Sequence, residues 1–215
     1  MIPSLTMKNL VLMTCVISAL VASVVSVKCL ACCSENSTTC NNVTEIECLG
    51  DYCMTCSQWF FNGNKEYNGI LKGCPDAEMC ENEGRTGGEN LKFRFYTSCC
   101  KGDYCNRDQY RLPVDDRTPN GVQCDTCYSL NSTEECVSTK KINCTGNENQ
   151  CFTYMGTMKN PDGSVVNYSL KGCANNYTCR YNVERHIGVT FLYGKGMNCY
   201  IPHNPPVPPK YTNGS

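Results

Sequence analysis

The sequence predicts an all-β protein made of two tandem, disulfide-rich domains. Three observations lead to this prediction: the number of cysteines, a cysteine pattern that occurs twice, and β-hairpin signals between the cysteines. The 215 residues include 21 cysteines, a density typical of small exported domains that are stabilised by disulfides. The N-terminus, the repeat and the hairpins each support one part of the prediction.

The chain begins with a segment typical of a secretory signal peptide. An apolar stretch runs from Leu10 to Val25, and small residues at 23–26 provide a cleavage site. The stretch is short for a membrane span and is followed at once by cysteine-rich sequence. We therefore expect a signal peptide over residues 1–26 and no membrane anchor. Because its removal takes Cys15 with it, 20 of the 21 cysteines remain, an even number, as complete pairing requires.

A cysteine pattern is repeated along the mature chain. The segment "VKCLACCSENSTTC" returns as "VQCDTCYSLNSTEEC", and "GILKGCPDAEMC" returns as "YSLKGCANNYTC". The repeat predicts two homologous domains over residues 27–106 and 122–200. The charged, proline-containing stretch 107–121 has the composition of a linker. Residues 201–215 form a proline-rich tail, for which we expect an extended, disordered end.

The segments between the cysteines carry β-hairpin signals. In the first domain, β-favouring residues flank Asn62-Gly63, a strong hairpin turn signal. The second domain has Pro161-Asp162-Gly163 at the corresponding place. The segment from Leu91 alternates apolar and basic residues, as a strand with one covered face does. No segment shows sustained helical periodicity, so both domains are predicted to be built of hairpins.

Seven Asn-x-Ser/Thr acceptors strengthen the prediction of export, since a used acceptor marks a surface loop of an exported chain. We expect only some of them to carry sugar, and Asn213, two residues from the end, is the least favourable. The six candidates are Asn36, Asn42, Asn131, Asn143, Asn167 and Asn176.

Several function classes are disfavoured by the sequence. A net charge of −1 provides no basic face for nucleic acid. The Cys-x-x-Cys pairs at 29–32, 53–56 and 124–127 would bind zinc only as reduced thiolates, which an exported chain does not keep. The two histidines, His186 and His203, have no nucleophile at a recognisable spacing. We predict a protein without enzymatic activity, cofactor or metal.

The first domain resembles the three-finger superfamily, which includes the urokinase receptor, the lymphocyte-antigen-six proteins and the snake three-finger toxins. The resemblance rests on the Cys-x-x-Cys opening at Cys29, the ten-cysteine spacing, and the ending "CCKGDYCN" at 99–106. It implies two three-finger domains. Two such domains in tandem without an anchor are most similar to the gamma-type inhibitors of secretory phospholipase A2.

This resemblance implies a disulfide pairing, which the sequence alone leaves open among many alternatives. In the first domain it pairs Cys29 with Cys53, Cys32 with Cys40, Cys48 with Cys74, Cys80 with Cys99, and Cys100 with Cys105. In the second it pairs Cys124 with Cys151, Cys127 with Cys136, Cys144 with Cys173, and Cys179 with Cys199. The second domain lacks the last bridge, because Tyr200 stands at the ninth cysteine position and no tenth cysteine follows. Since the two lost positions are partners, no orphan thiol remains. The alternative explanation of the missing ending is an alternatively spliced or incomplete C-terminus.

The end of the second domain also lacks a structural asparagine. In the family this side chain joins the last segment to the central strands, and Asn106 matches it in the first domain. The corresponding residue in the second domain is Pro206. A bridge in a small secreted domain is worth about 2–5 kcal/mol, so we expect the second domain to be the less stable one.

Two cysteines of the first domain, Cys33 and Cys56, stand outside the family pattern. We expect them to form an extra bridge between neighbouring strands. The alternatives are an intermolecular bridge, or a register in which Cys33 takes the place of Cys32.

The candidates for partner binding are aromatic residues of the first domain's middle finger, because aromatic side chains contribute much of the energy of protein interfaces. Strand alternation places at least one of three consecutive residues on the opposite face, and the alternative is that they cover the sheet or pack between the domains. The candidates are Trp59, Phe60, Phe61 and Tyr67, with Tyr154, Met155 and Met158 as a softer equivalent in the second domain.

The sequence thus predicts a secreted, disulfide-rich glycoprotein that binds a protein partner. By resemblance, it inhibits a secreted enzyme, a secretory phospholipase A2. The alternative is a soluble ligand or decoy for the ectodomain of a cell-surface receptor. Neither function involves nucleic acid or a membrane anchor.

Overall fold

The computed structural model describes residues 25–63, 65–76, 78–108, 110–132, 134–181 and 190–202. Nearly all of the predicted signal peptide and most of the proline-rich tail lie outside these residues, as do His186, His203 and Asn213. The helices of the described chain are too short or too polar to cross a bilayer.

The all-β prediction is confirmed, with eleven strands among the described residues. The first domain contains β1 (Ser26–Ser34), β2 (Thr44–Leu49), β3 (Tyr52–Phe61), β4 (Glu66–Gly73), β5 (Asn82–Gly87), β6 (Lys92–Lys101) and a 3-10 turn at Cys105–Arg107. The second contains β7 (Pro119–Leu130), β8 (Lys140–Thr145), β9 (Gln150–Lys159), β10 (Val165–Ala174), helix α1 (Asn176–Tyr181) and β11 (Thr190–Tyr200).

Antiparallel hairpins form the fingers, and their turns are where the local sequence predicts them. β3 and β4 are joined through Gly63, whose φ is +82°. β9 and β10 are joined through Gly163, whose φ is +83°. Glycine adopts this left-handed region without a steric cost because it has no Cβ atom, which explains both turn positions. In the second domain, helix α1 precedes the last strand at the position where the first domain has strand β5.

The described cysteines form nine disulfides, and these join the nine pairs named above. At one end of each domain the half-cystines form a small buried cluster together with an apolar side chain, Val27 in the first domain and Val122 in the second. The disulfides therefore hold the bases of the fingers in both domains.

The expected bridge between Cys33 and Cys56 is wrong, because both residues are free thiols. Leu71 on β4 pairs with Cys33 on β1 and, from its other side, with Cys56 on β3. The two cysteines are thus two strand spacings apart, about 9–10 Å, and a disulfide needs Cα atoms within about 7 Å. Cys32 is bonded to Cys40, so Cys33 does not replace it. An intermolecular bond of the exposed Cys33 stays a prediction.

Asn106 joins the end of the first domain to its central strands. Its Nδ2 donates to the carbonyl oxygens of Leu30 (2.8 Å) and Met54 (3.0 Å), and its Oδ1 accepts from the backbone N–H of Leu30 (3.0 Å). The residue is 2% exposed. The side chain thereby satisfies buried backbone groups of β1 and β3, which otherwise lack these partners.

The two domains share one continuous sheet. β10 pairs with β5 of the first domain, Cys173 opposite Gly87 and Ala174 opposite Thr86. The contact is close, since a Cβ atom on Gly172 would lie 2.2 Å from the carbonyl oxygen of Gly87. The strand order from one end is β11-β9-β10-β5-β6-β3-β4-β1-β2, with β7 and β8 attached to β10.

One hydrophobic core extends across both domains. The first domain contributes the aromatic residues of β3, β4 and β6, and the second contributes those of β9 and β10. The ring of Phe95 contacts the ring of Tyr177 across the boundary, with 5.6 Å between centroids. We call the side of the first domain's sheet that carries Phe93 and Phe95 the inner face, and the opposite side the outer face.

The linker lies along the outer face. The backbone N–H of Arg111 donates to the Ser57 hydroxyl (2.9 Å), and the Tyr110 hydroxyl donates to the carbonyl oxygen of Gln58 (3.1 Å). Strand β7 begins at Pro119, three residues before the predicted start of the second domain. The segment predicted to be a linker is therefore part of the packed structure.

Candidate partner-binding surface

The aromatic residues of β3 and β4 divide between the two faces of the sheet. Phe60 and Tyr67 are paired across the strands on the inner face, and each is 5% exposed. Trp59 and Phe61 are half-buried on the outer face. Strand alternation is the cause, because neighbouring side chains point to opposite faces.

The expectation that Phe60 and Tyr67 bind a partner is wrong for this fold, because both belong to the core between the domains. Their position matches the alternative in which the aromatics pack between domains. Tyr154 and Met158 are buried in the same core, whereas Met155 is half-buried on the opposite side of β9. The accessible candidates of the middle finger are Trp59 and Phe61.

Trp59 and Phe61 form a parallel stack on the outer face. Their ring centroids are 6.2 Å apart and the planes differ by 6°. On the neighbouring strand β6, Arg94 is opposite Trp59 and the exposed Lys92 is opposite Phe61. Among the ion pairs of the described residues Lys92 takes part in none. The surface thus combines a flat apolar area with a free cation at its edge.

A cleft of about 240 Å³ borders this aromatic stack. Trp59, Arg94 and Lys92 line it from the first domain, and Ile142 and Asn143 line it from the second. Residues of the linker complete its wall. The cleft is therefore assembled by the packing of the two domains and the linker.

Arg85 connects the three parts of this wall. Its side chain is 6% exposed and bonds to Glu148 of the second domain (Nε to Oε1, 3.4 Å) and to Asp115 of the linker (3.0 Å). The same guanidinium donates to the Thr145 hydroxyl (3.3 Å) and to the Asp116 carbonyl oxygen (3.2 Å). Since Glu148 is 4% exposed on its side chain, this is a buried ion pair between domains.

Arg94 holds the linker against the outer face. It forms two bonds to Glu83 Oε1 (2.6 and 3.1 Å) and one to the carbonyl oxygen of Pro113 (3.0 Å). Asp115 Oδ1 lies 3.6 Å from Arg94 Nη1, and Asp115 Oδ2 forms an ion pair with Arg117 Nε (2.9 Å). Burial tends to raise the pKa of Asp115, but the Arg117 hydrogen bond and the arginine charges hold it below its ordinary value.

Asn175 joins the sheet edge of the first domain to the second. Its Oδ1 accepts from the backbone N–H of Arg85 (3.3 Å) and from the Thr178 hydroxyl (2.7 Å), and its Nδ2 donates to the Glu83 carbonyl oxygen (2.6 Å). The residue is 4% exposed. This side chain satisfies polar groups on both sides of the domain boundary.

The tips of the two middle fingers also meet. The Tyr67 hydroxyl donates to Asp162 Oδ2 (3.1 Å), and Lys65 Nζ lies 3.3 Å from the same oxygen. Hydrogen bonds from the side chain and backbone of Ser164, then from Tyr67 and Lys65, hold the pKa of Asp162 well below its ordinary value. This hydrogen bond and ion pair join the finger tips of the two domains, in addition to the apolar core between them.

The predicted glycosylation acceptors differ in their surroundings. Asn36, Asn42 and Asn131 are exposed outside regular strands, and Asn176 is exposed at the start of α1. Asn143 is exposed but lies on β8, and Asn167 lies half-buried on β10 with its Oδ1 bonded to Thr157 (2.6 Å). For these two, the expectation of a surface loop is wrong.

The comparisons with known proteins agree with the repeat. The model of the u-PAR/Ly-6 domain matches residues 25–108 and 120–200. The chain is 39% identical over 90 residues to a phospholipase A2 inhibitor of the gamma type from Elaphe climacophora, covering 41% of this chain and 43% of that protein. It is 28% identical over 171 residues to the gamma-type phospholipase A2 inhibitor of Laticauda semifasciata, covering 74% and 91%.

A third relative is a receptor. The chain is 33% identical over 140 residues to the urokinase plasminogen activator surface receptor of Bos taurus, covering 60% of this chain and 38% of that protein. The matched region spans less than half the length of this relative and of the Elaphe protein.

Proposed function

The chain belongs to the u-PAR/Ly-6 domain family, and on that premise we propose that it is an exported protein that binds and inhibits a secretory phospholipase A2. The proposal draws on relatives named as phospholipase A2 inhibitors, one of which aligns over 74% of this chain. The protein acts by occupying a surface of the enzyme, without chemistry of its own.

The observation that carries the proposal is the half-buried stack of Trp59 and Phe61 on the outer face. Aromatic side chains at the centre of an interface supply much of its binding energy. β3 is hydrogen-bonded on both sides, to β4 and β6. The stack therefore loses little conformational freedom on binding, and more of the contact energy appears as affinity.

Lys92 gives the same surface an electrostatic preference. It is opposite Phe61 and exposed. An unpaired cation at the rim of an interface mainly raises the association rate with an oppositely charged partner. We propose that the enzyme presents an acidic side chain next to an apolar area at this place.

A titration tests the proposal. Purified protein is added to a secretory phospholipase A2 in an esterase assay, and we expect inhibition that saturates near a fixed molar ratio. Trp59→Ala weakens binding by about 1–3 kcal/mol if the residue is an anchor. Tyr193→Ala is the matched control, because Tyr193 is an exposed aromatic residue of β11, in the other domain. If Trp59→Ala and Tyr193→Ala weaken inhibition equally, the outer face around Trp59 is not the surface that binds the enzyme.

The similarity to a urokinase receptor favours a second candidate, a soluble ligand or decoy for a cell-surface receptor. The same outer face would serve it, so the assays must separate the two. The second candidate replaces the first if three results are found together. Micromolar protein leaves the activity of a panel of secretory phospholipases unchanged, the chain binds intact cells, and Trp59→Ala abolishes that binding.

Export is tested separately. Expressed in animal cells, the protein is expected in the medium as several glycoforms that collapse to one band after enzymatic deglycosylation. Retention of the full chain inside the cell contradicts the proposal of an exported inhibitor.

A further inference from the structure

The cleft beside the aromatic stack has a glycosylation acceptor in its wall. Asn143, in the sequence Asn143-Cys144-Thr145, lines the same cleft as Trp59, although the two residues belong to different domains. The other described acceptors take no part in lining this cleft. The packing of the domains thus brings one acceptor next to the candidate binding surface.

The asparagine itself is placed to carry a sugar. It is exposed on β8, which among the described strands pairs with β7 alone and so forms an edge of the sheet. In the described hydrogen bonds its Oδ1 accepts from Gln123 Nε2 (2.9 Å). That bond leaves Nδ2, the atom that is glycosylated, without a described protein partner.

The modification is the standard transfer of an oligosaccharide from a lipid diphosphate donor in the secretory pathway. A bond forms between Nδ2 and C1 of the first N-acetylglucosamine, the bond from C1 to the diphosphate oxygen breaks, and Nδ2 loses one proton. In the folded protein the Thr145 hydroxyl accepts from Arg85 and is part-buried. Transfer to Asn143 would therefore have to precede the closing of the two domains.

We infer that an N-linked glycan on Asn143 covers the cleft and shields the Trp59 surface. The first sugars are tethered at the wall of the cleft that Trp59 and Ile142 also line. The apolar C–H face of a sugar ring packs well on an indole ring, and the tether keeps the local concentration of the sugar high. The cleft is open to solvent, so the remaining sugars extend outward over Phe61 and Lys92.

The glycan then regulates the binding surface, a consequence that rests on the proposed function. A partner that uses Trp59 has to displace the tethered sugars or bind only chains that lack them. Glycoforms of one chain would differ in affinity according to the occupancy of Asn143.

Trp59 is the only tryptophan of the chain, so its fluorescence reports directly on the cleft. The test compares acrylamide quenching in the secreted wild type, in the wild type trimmed with an endoglycosidase after folding, and in Asn143→Gln. Trimming leaves the first N-acetylglucosamine on the asparagine, whereas Asn143→Gln carries no sugar at this position. We expect the Stern–Volmer constant to be lowest for the untreated protein, higher for the trimmed wild type and highest for Asn143→Gln. Asn42→Gln, which removes an acceptor on an exposed loop outside the cleft, serves as the matched control and should match the untreated protein.

Trimming leaves the polypeptide unchanged, so a folding defect of Asn143→Gln cannot imitate the result. The inference is overturned if peptide mapping finds Asn143 unmodified, or if trimming leaves quenching unchanged. It is also overturned if Asn42→Gln raises quenching as much as Asn143→Gln does.

A second arm measures inhibition of a secretory phospholipase A2. We expect Asn143→Gln and the trimmed wild type to inhibit at lower concentrations than the untreated protein. If no form inhibits while the quenching difference is present, the proposed function fails and the shielding stands. If all forms inhibit equally despite a quenching difference, the regulatory consequence fails.

Discussion

Replacing Arg85 tests whether the buried ion pair makes the two domains one cooperative unit. Arg85→Met keeps much of the side-chain volume and removes the charge. The variant leaves the Glu148 carboxylate, 4% exposed, without its cationic partner, although Thr145 still donates its backbone N–H (2.9 Å). Breaking a buried pair by removing one partner costs about 3–5 kcal/mol, because an uncompensated charge stays buried.

The double variant Arg85→Met/Glu148→Gln separates charge from packing. An amide at position 148 still accepts from the Thr145 N–H and carries no charge. We expect it to recover most of the loss, leaving a deficit of about 1–2 kcal/mol from the lost bonds of Arg85 to Asp115 and Thr145. A double variant as unstable as Arg85→Met would mean that packing, not charge, is responsible.

The assay is unfolding in urea under non-reducing conditions, followed by the fluorescence of Trp59. This residue lines the cleft whose wall Arg85 completes, so loss of the domain contact changes its surroundings. The matched control is Lys101→Met, which removes an exposed pair with Asp51 (63% and 50% exposed side chains) and should cost little. If Arg85→Met destabilises no more than this control, the interdomain role assigned to Arg85 is refuted.

Three further predictions follow from the domain contact and the free thiols. Gly172→Ala should separate β10 from β5, because the new Cβ would lie 2.2 Å from the carbonyl oxygen of Gly87. Gly73→Ala is the control, since its Cβ would meet its nearest neighbour only at 3.9 Å. Limited proteolysis should cleave the linker faster in Gly172→Ala than in Gly73→Ala. Asp162 has a lowered pKa, so its contribution to stability is present above the ordinary pKa of about 3.9 and is lost as pH falls below it. Asp162→Asn should therefore be less stable than wild type at neutral pH and equal to it in strong acid, and a constant difference across pH contradicts this. A thiol reagent should label Cys33 in the folded protein and the buried Cys56 only after denaturation, and labelling of neither would show that they are bonded.

The placement of the middle finger shows how far local patterns extend. The Asn62-Gly63 turn and the alternation of β3 follow from backbone geometry, which the nearby residues control, and the hairpin was predicted from them. Alternation also predicts that Trp59 and Phe60 face opposite ways. It does not say which face is covered, because the cover comes from β9 and β10, about a hundred residues later in the chain. The local pattern therefore predicts partner binding for Phe60 and Tyr67, although both pack between the domains.

The residues that hold the domains together gave no local signal. Arg85 lies in the sequence "RTGGEN", which is typical of a hairpin tip, and Glu148 lies among polar residues. In a chain with 19 basic and 20 acidic residues, such charges are indistinguishable from surface charges until their partners are known.

The sequence by itself determined the fold family, the two domains and the hairpin turns. These features depend on cysteine spacing and on turn residues, whose constraints act within short stretches of chain. Only the tertiary structure decided that Cys33 and Cys56 stand on either side of Leu71, and that Asn143 lines the same cleft as Trp59. Both outcomes depend on strand order and on the packing of one domain against the other, which arise from contacts between residues far apart in the chain.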